Sequence, residues 1–230
     1  AETLQFENIY PSSDPNLRLQ NISGFADPLT TDDLVDVIAD VFHLGPLAAG
    51  DIEPALFAEL ATRGAVALDV QGLLRLRQPG QVVLQMAPTI RNLVQHARIL
   101  KADTEEARLL TGCNSTRDAL TELQSWGPNE ILITDGSRGS SICSPEGIWE
   151  IPAYPPTDVV DPTGCGDTYL AGYVTARLKG LSPYQSAHIG ALAASHKLEY
   201  TGPLQTSFDE LSEKIALEAE AVDPVTADLH

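Results

Sequence analysis

A glycine-rich stretch followed by a helix carries the clearest chemical signal in this sequence. Between Asp158 and Lys179 the chain reads DVVDPTGCGDTYLAGYVTARLK, in which Gly164 and Gly166 precede an amphipathic helix. Glycines let the backbone approach a ligand closely, and the amides and dipole of a helix N-terminus favour an anion. Asp167, in the first turn of this helix, would lie beside that anion and could accept a proton from a hydroxyl group. The pattern therefore predicts an anion-binding turn equipped with a general base.

The same stretch also has a purely structural interpretation. An aspartate in the first turn complements the helix dipole, and glycines are common in ordinary turns. Two familiar nucleotide motifs are excluded, because no GxxxxGK(S/T) sequence occurs and the third glycine of a dinucleotide fingerprint would fall at Tyr169. Asp161 could either bind a cation or hold the turn. The residues alone leave both interpretations of the turn open.

The charge balance limits the partners of this chain. It has 230 residues, with 32 acidic against 14 basic side chains and a formal net charge of -18. Such a field repels the phosphate backbone of nucleic acids and anionic membrane surfaces, so we expect neither as a partner. A phosphorylated ligand would need a local binding device, such as a helix N-terminus, backbone amides or a metal ion.

Cysteine and histidine usage favours a cytoplasmic protein without structural metal. The three cysteines form no CxxC pair, and the five histidines are scattered without metal-ligand spacing. A disulfide framework or a structural zinc site is therefore not expected, and a reducing compartment fits best. No run approaches the ~18 apolar residues of a membrane span.

The elements that must position the turn alternate between strand and helix. Residues 1–31 predict a β hairpin with PSSDPN as its turn, and a short helix is predicted from Asp32 to about Asp40. The predicted strands that follow are 41–44, 65–70, 98–102, 130–134, 140–143 and 148–151. The predicted helices are 54–63, 88–97, 104–111, 115–125, 167–179, 183–198 and 208–221. This alternation favours a single α/β domain, residues 32–230, around a mostly parallel sheet.

The residues of the glycine turn resemble the signature of a known enzyme family. The segment DPTGCGD resembles the DTxGAGD signature of the ribokinase/PfkB family of carbohydrate kinases, with Pro162 where Thr is usual and Cys165 where Ala is usual. The resemblance implies a three-layer α/β/α sandwich with a small β lid, formed here by residues 1–31. It also implies transfer of the γ-phosphate of ATP to a hydroxyl group.

The resemblance assigns roles to the turn residue by residue. Gly164, Cys165 and Gly166 form the anion hole through their amides, and Asp167 is the catalytic base. Many members of the family have a monovalent-cation site, and the resemblance places Asp161 and Thr163 near it. The cation expected at that site is K⁺.

Two further segments agree with the family. ILITDGSRGS resembles its strand–T-x-G-x-x-G element beside the nucleotide, through Thr134, Gly136 and Gly139, and Arg138 there could touch a phosphate. KADTEEARLLTG resembles its N-x-x-E element, which helps to bind Mg²⁺ and phosphate, with Asp103 in place of Asn. Asp103 and Glu106 also form a helix-capping signature, and both roles can hold at once.

The acceptor is less well defined. Asp69 and Gln71 follow a buried strand, at the place of the family's D-x-N element, and are candidates to bind the acceptor. The family's first strand and its Gly-Gly acceptor segment have no match here, so the sequence is a fragment, relies on another chain, or is a degenerate relative. We expect a sugar or polyol acceptor. A nucleoside acceptor and a non-catalytic nucleotide-binding protein are the alternatives, and a homodimer through the lid strands is expected by analogy.

Overall fold

The structure is a computed structural model, and it describes residues 3–9 and 19–218. The chain divides into two compact units, Ala1–Ile133 and Thr134–His230. In the described residues, no helix combines the length and the apolar character needed to cross a membrane.

The first unit is built from strands that alternate with helices. Its elements, in chain order, are β1 (Gln5–Ile9), β2 (Leu19–Ser23), β3 (Val41–Leu44), α1 (Pro54–Arg63), β4 (Ala65–Asp69), α2 (Gln71–Leu74), β5 (Gly80–Gln81), α3 (Ile90–Val94), β6 (Ile99–Asp103), α4 (Thr104–Thr111), α5 (Thr116–Ser125) and β7 (Glu130–Thr134), which ends at the unit boundary.

A parallel sheet forms the centre of this unit. Strands β3, β4, β6 and β7 lie side by side in that order. The pairs β3–β4 and β4–β6 are parallel, with Val41 opposite Ala65 and Ala67 opposite Ile99. Val66 and Ala67 are almost fully excluded from solvent although they point to opposite faces, as expected when both faces of a parallel sheet are covered. The carboxyl ends of β3, β4 and β6 therefore share one edge.

Helix α1 shows how local signals set an element that packs on the sheet. Pro54 opens it at the first helical position, where a missing N–H costs nothing, and Leu56, Phe57 and Leu60 form its buried face. The helix ends at Gly64, where a Cβ atom would lie 2.5 Å from the carbonyl oxygen of Ala39. Only glycine fits this approach.

A second, antiparallel sheet contains the predicted lid strands. Strands β1 and β2 pair in register, with Gln5 opposite Ser23, and the two-residue strand β5 extends the sheet through Asn21 opposite Gln81. The predicted hairpin pairing is confirmed, whereas β5 was not predicted. The PSSDPN turn lies outside the described residues.

The second unit is a β hairpin followed by helices. Its elements are a 3-10 turn (Gly136–Arg138), β8 (Ser140–Ser144), β9 (Gly147–Ile151), α6 (Cys165–Leu178), α7 (Pro183–Leu198) and α8 (Phe208–Glu218). Strands β8 and β9 are antiparallel. Helices α6 and α7 pack closely through Gly172 and Gly190, and Leu211 and Ile215 of α8 join the same apolar core.

Some predicted boundaries are wrong for physical reasons. The helix predicted from Asp32 to Asp40 is only a 3-10 turn, Asp32–Leu34, because the following residues have no core to pack against and Ile38 is 98% exposed. Helix α3 is shorter than predicted, and helix α2 was not predicted. The predicted end of the last helix, at residue 221, lies outside the described residues.

Candidate functional site

The glycine turn is the N-terminus of helix α6. Gly164 is the N-cap residue with φ +82°, a left-handed conformation that favours glycine, and it supplies no capping side chain. Its carbonyl accepts the first helical bond, from the N–H of Thr168 at 2.9 Å. Cys165, Gly166 and Asp167 therefore fill the first three helical positions. The N–H of Cys165 donates to the carbonyl of Pro162 at 3.4 Å, which is a long hydrogen bond. The helix begins two residues before its predicted start, which brings all the predicted anion-hole residues into one turn.

The side chains of this turn differ in environment. Asp167 is exposed, whereas Cys165 is partly buried. Burial, reinforced by nearby carboxylates and opposed by the charge of Lys197, raises the pKa of the Cys165 thiol. A neutral thiol fits the predicted role of Cys165, which is to contribute its amide and its small size.

Asp161 organises the approach to the turn. Its Oδ1 accepts a hydrogen bond from the N–H of Thr163 at 2.9 Å. That bond, together with the charge of Lys197, holds the pKa of Asp161 below its usual value. The carboxylate is ionised at neutral pH, and this local bond fixes the chain two residues before Gly164.

Lys197 was not predicted as a site residue. It lies near the end of α7 and is only 4% exposed. Its Nζ lies 3.0 Å from the carbonyl oxygen of Tyr200, 3.2 Å from that of Asp161 and 3.9 Å from Oδ2 of Asp161. The N–H groups of Val160 and Asp161 also donate to the carbonyl of Leu198. The end of α7 is thus tied to the segment that enters the glycine turn.

The predicted K⁺ position near Asp161 and Thr163 does not suit a metal ion. The ammonium of Lys197 already takes two carbonyl oxygens and lies beside the Asp161 carboxylate. A second cation bound to the same oxygens would lie beside the buried ammonium of Lys197 and be repelled by it. The residues present therefore do not fit K⁺ at this position.

The Gly-containing turn after β7 has its own steric requirement. Gly136 and Gly139 both have positive φ, +54° and +102°. A Cβ atom on Gly139 would lie 2.2 Å from the carbonyl oxygen of Ile151. The N–H of Asp135 bonds to the Gly139 carbonyl at 2.8 Å and closes the turn. Packing alone thus explains glycine at position 139.

Thr134 precedes this turn, and Arg138 lies within it. Thr134 is the last residue of β7. Arg138 donates to both carboxylate oxygens of Asp135, at 2.7 and 2.5 Å, and its side chain is 77% exposed. A phosphate would have to compete with Asp135 for this guanidinium group.

In the first unit, the predicted acceptor residues lie in a buried polar cluster. Asp69 ends β4, and its Oδ2 lies 2.7 Å from Nζ of Lys101 on β6, which was not predicted. Asp69 Oδ1 accepts the N–H of Gln71 at 3.0 Å, and Gln71 Oε1 accepts from Arg75 at 3.0 Å. Asp69 and Gln71 are therefore brought together, with Asp69 already engaged in an ion pair.

Asp103 and Glu106 form the capping box that their spacing predicts. Asp103 accepts the Glu106 N–H at 2.8 Å, and Glu106 accepts the Asp103 N–H at 2.7 Å. Burial is the largest cause that raises the pKa of Glu106 to about 7, and the negative charge of Asp103 adds to it. The positive charge of Lys101 lowers the same pKa but does not offset these two effects. Burial alone would lower the pKa of Lys101, but Asp69 and Glu106 raise it by more. The charges of these side chains therefore act on one another within the first unit.

Asp103 and Glu106 are the predicted ligands of Mg²⁺. Among the residues that the structure describes, no three His, Cys, Asp or Glu side chains are grouped as a dedicated metal site would require. Mg²⁺ commonly keeps several waters and is held by one or two carboxylates plus substrate phosphates. The capping box uses one oxygen of each carboxylate, Asp103 Oδ1 and Glu106 Oε2, so Mg²⁺ held in this mode would bind through the other oxygen of each.

Comparison with known proteins supports the family resemblance. The model of the pfkB family carbohydrate kinases matches residues 29–209. Cytidine kinase from Thermococcus kodakarensis is 30% identical over 115 residues, which are 49% of this chain and 41% of that protein. Inositol 3-kinase from Arabidopsis thaliana is 25% identical over 196 residues, 83% of this chain and 51% of that protein. The chain thus spans about half, or less, of the length of these relatives.

The solved structures agree on the fold. A pyrophosphate-dependent kinase in the ribokinase family superposes with a TM-score of 0.80 at 27% identity, covering 91% of this chain and 73% of that one. This likeness and the parallel sheet show a ribokinase-like α/β fold. The chain belongs to the pfkB family of carbohydrate kinases.

Proposed function

We propose that this protein is a phosphotransferase that moves the γ-phosphate of Mg-ATP to a hydroxyl group of a small acceptor, a sugar or polyol. The observation that carries the proposal is the turn at the start of α6, where Gly164, Cys165 and Gly166 precede Asp167 without a capping side chain. Backbone amides at a helix N-terminus suit the charge that develops on a transferring phosphoryl group.

Asp167 is the proposed base. It accepts the proton of the acceptor hydroxyl as the new O–P bond forms and the bond to ADP breaks, while the turn amides hold the phosphoryl oxygens. Its exposure is consistent with access to a substrate. Asp161 and Thr163 act through their mutual hydrogen bond, which holds the entry to the turn.

The remaining predicted residues receive supporting roles. Asp103 and Glu106 would hold Mg²⁺ together with substrate phosphates and water, and that ion would neutralise charge on the phosphates when bound. Thr134, Gly136, Gly139 and Arg138 are assigned to the nucleotide. Asp69 is assigned to positioning, because Lys101 already engages its carboxylate. Gln71 is the better candidate to contact an acceptor.

Acceptor and donor are both suggested by similarity. Inositol 3-kinase favours a polyol, and cytidine kinase favours a nucleoside as the alternative. Pyrophosphate is an alternative donor, since the similar solved structure is of a pyrophosphate-dependent enzyme. A homodimer through the lid strands and a cytoplasmic location remain predictions.

The test measures phosphorylation of an acceptor panel with Mg-ATP or Mg-pyrophosphate as donor. The panel contains myo-inositol, pentoses, hexoses and nucleosides. We expect acceptor-dependent transfer that falls about 100-fold to 10,000-fold in Asp167→Asn, with nucleotide affinity nearly unchanged. Transfer that survives this substitution would exclude Asp167 as the base. Nucleotide binding without transfer to any acceptor would favour the non-catalytic alternative.

Asp118→Asn provides a matched control. Asp118 is an exposed aspartate in the first turn of α5, at the same helical position that Asp167 has in α6. Both substitutions remove a negative charge near a helix N-terminus and cost similar stability. Only the change at Asp167 should affect transfer, so the comparison separates chemistry from helix stabilisation.

A further inference from the structure

Lys197 carries a buried charge beside the glycine turn. Its side chain is 5% exposed, and its Cε lies 4.0 Å from where a Cβ atom of Gly164 would be. Transfer of an ammonium group out of water costs several kcal/mol unless it is paired and hydrogen-bonded. A lysine is therefore tolerated here only because of the oxygens that surround it.

Those oxygens form a set suited to a monovalent cation. The ammonium donates to the carbonyl oxygens of Asp161 and Tyr200, at 3.2 and 3.0 Å, and lies 3.9 Å from the Asp161 carboxylate. Carbonyl and carboxylate oxygens are also the groups that coordinate hard cations. The ammonium supplies the same single positive charge but is covalently attached to α7, so it cannot dissociate.

Lys197 joins the segment that enters the glycine turn to the segment that follows α7. Asp161 leads into the glycine turn, and Tyr200 lies two residues after the end of helix α7. The bond from Lys197 to Asp161 spans 36 positions in the sequence. With the bonds from Val160 and Asp161 to Leu198, it holds the entry to the turn against the end of α7. In a chain of net charge -18, it also places a fixed positive charge next to an anion-binding turn.

We propose that Lys197 is a built-in monovalent cation, which positions the glycine turn and makes the protein independent of added K⁺ or Na⁺. Only the catalytic consequence of this inference rests on the proposed phosphotransferase function. The positioning role stands on the contacts of Lys197 alone, so it can be tested without turnover.

The first test compares thermal unfolding in KCl, NaCl, NH₄Cl and tetramethylammonium chloride at equal ionic strength. We expect the Tm of the wild-type chain to be the same in all four salts. Lys197→Ala removes the ammonium and leaves space, so its Tm should fall and then rise saturably with K⁺ or NH₄⁺. Lys197→Met fills the space with a neutral chain and should be destabilised without responding to either ion.

Lys214→Ala is the control for loss of a lysine charge, since Lys214 is exposed. It should show no dependence on the choice of cation. A saturable rise of the wild-type Tm with K⁺ over tetramethylammonium would overturn the proposal. So would a folded Lys197→Ala variant that is indifferent to K⁺ and NH₄⁺. A variant that folds only when one of these ions is present would support it.

A second test applies once turnover has been established. The kcat of Lys197→Ala should fall at least about tenfold and recover with NH₄⁺, methylammonium or K⁺, because a free cation then replaces the missing side chain. Lost turnover that no cation restores would overturn the catalytic part of the inference. If the thermal result holds but no substrate is phosphorylated, the proposed function fails and the positioning role stands.

Discussion

The ammonium nitrogen of Lys101 lies 2.7 Å from Oδ2 of Asp69, and the two residues are register partners on the parallel strands β6 and β4. Both side chains are almost fully buried, with 6% and 1% exposed. The ion pair therefore follows from strand register, at the sheet edge where the predicted Asp69 and Gln71 lie. The ion pair explains how the Asp69 carboxylate can be buried although two other acidic side chains, Asp103 and Glu106, lie nearby.

The first prediction concerns this buried pair. Lys101→Met should lower the free energy of unfolding by about 3–5 kcal/mol, because it leaves the Asp69 carboxylate buried without its counter-charge. Asp69→Asn should also destabilise the chain. The double variant should cost clearly less than the sum of the two single changes. Denaturant unfolding of all four proteins measures this coupling, and strictly additive losses would contradict it.

The second prediction concerns pH. The pKa of Glu106 is about 7 in the folded chain, chiefly through burial, against an ordinary value of 4.5. Between pH 4.5 and about 7, the Glu106 carboxyl therefore keeps its proton in the folded chain and loses it in the unfolded chain. The stability that Glu106 contributes is thus fully present below pH 4.5 and is lost as pH rises through about 7. Glu106→Gln should remove this dependence, worth about 1.4 kcal/mol for each unit of pKa difference.

Glu105→Gln is the control for the pH experiment. Glu105 lies in the same helical turn but is exposed, so its substitution should leave the pH profile of stability nearly parallel to that of the wild-type chain. The measurement is chemical unfolding at several pH values from about 4 to 8. Parallel profiles for Glu106→Gln and the wild-type chain would show that Glu106 does not titrate in this range.

The third prediction separates backbone strain from anion binding. Gly164 and Gly180 have nearly the same positive φ, +82° and +86°, at opposite ends of α6. Alanine at either position should destabilise the chain by about 1 kcal/mol, because a Cβ atom disfavours this conformation. Only Gly164→Ala should also weaken binding of Mg-ATP, which isothermal titration calorimetry measures. Equal affinities for the two variants would argue against an anion site at the α6 turn.

The fourth prediction concerns the contact between α6 and α7. A Cβ atom on Gly190 would lie 2.7 Å from the carbonyl oxygen of Tyr169, whereas one on Gly172 would lie 3.2 Å from the Ala193 Cβ. Gly190→Ala should therefore cost about 1–3 kcal/mol through overpacking against backbone. In Gly172→Ala, better helix propensity offsets a milder clash, so the change should be smaller. Urea unfolding measures both, and a Gly190→Ala variant as stable as the wild-type chain would contradict this packing.

Local signals predicted many of the elements well. Helix α1 agrees with its predicted bounds because Pro54 opens it and apolar residues recur on one face. The helix predicted over residues 32–40 is wrong, although the residues at its start are typical of a helix N-terminus. The apolar side chains that follow are exposed, and only a 3-10 turn forms. Helix formation there depended on a packing partner that the pattern alone does not reveal.

The sequence by itself determined the family and the composition of the glycine turn. The residues of that turn are contiguous, and their conformation follows from short-range rules for glycines and helix N-termini. The capping box of Asp103 and Glu106 is likewise a local pattern that the structure contains. Such features can be predicted because every interacting group lies within a few residues.

Only the tertiary structure decided where the buried charges lie. Lys101 meets Asp69 across 32 positions, and Lys197 meets Asp161 across 36. A lysine is ordinarily exposed, and its burial is stable only when a distant carboxylate or carbonyl is brought to its ammonium. Strand register supplies the partner of Lys101, and the packing of α7 supplies that of Lys197, so neither role could be inferred from spacing along the chain.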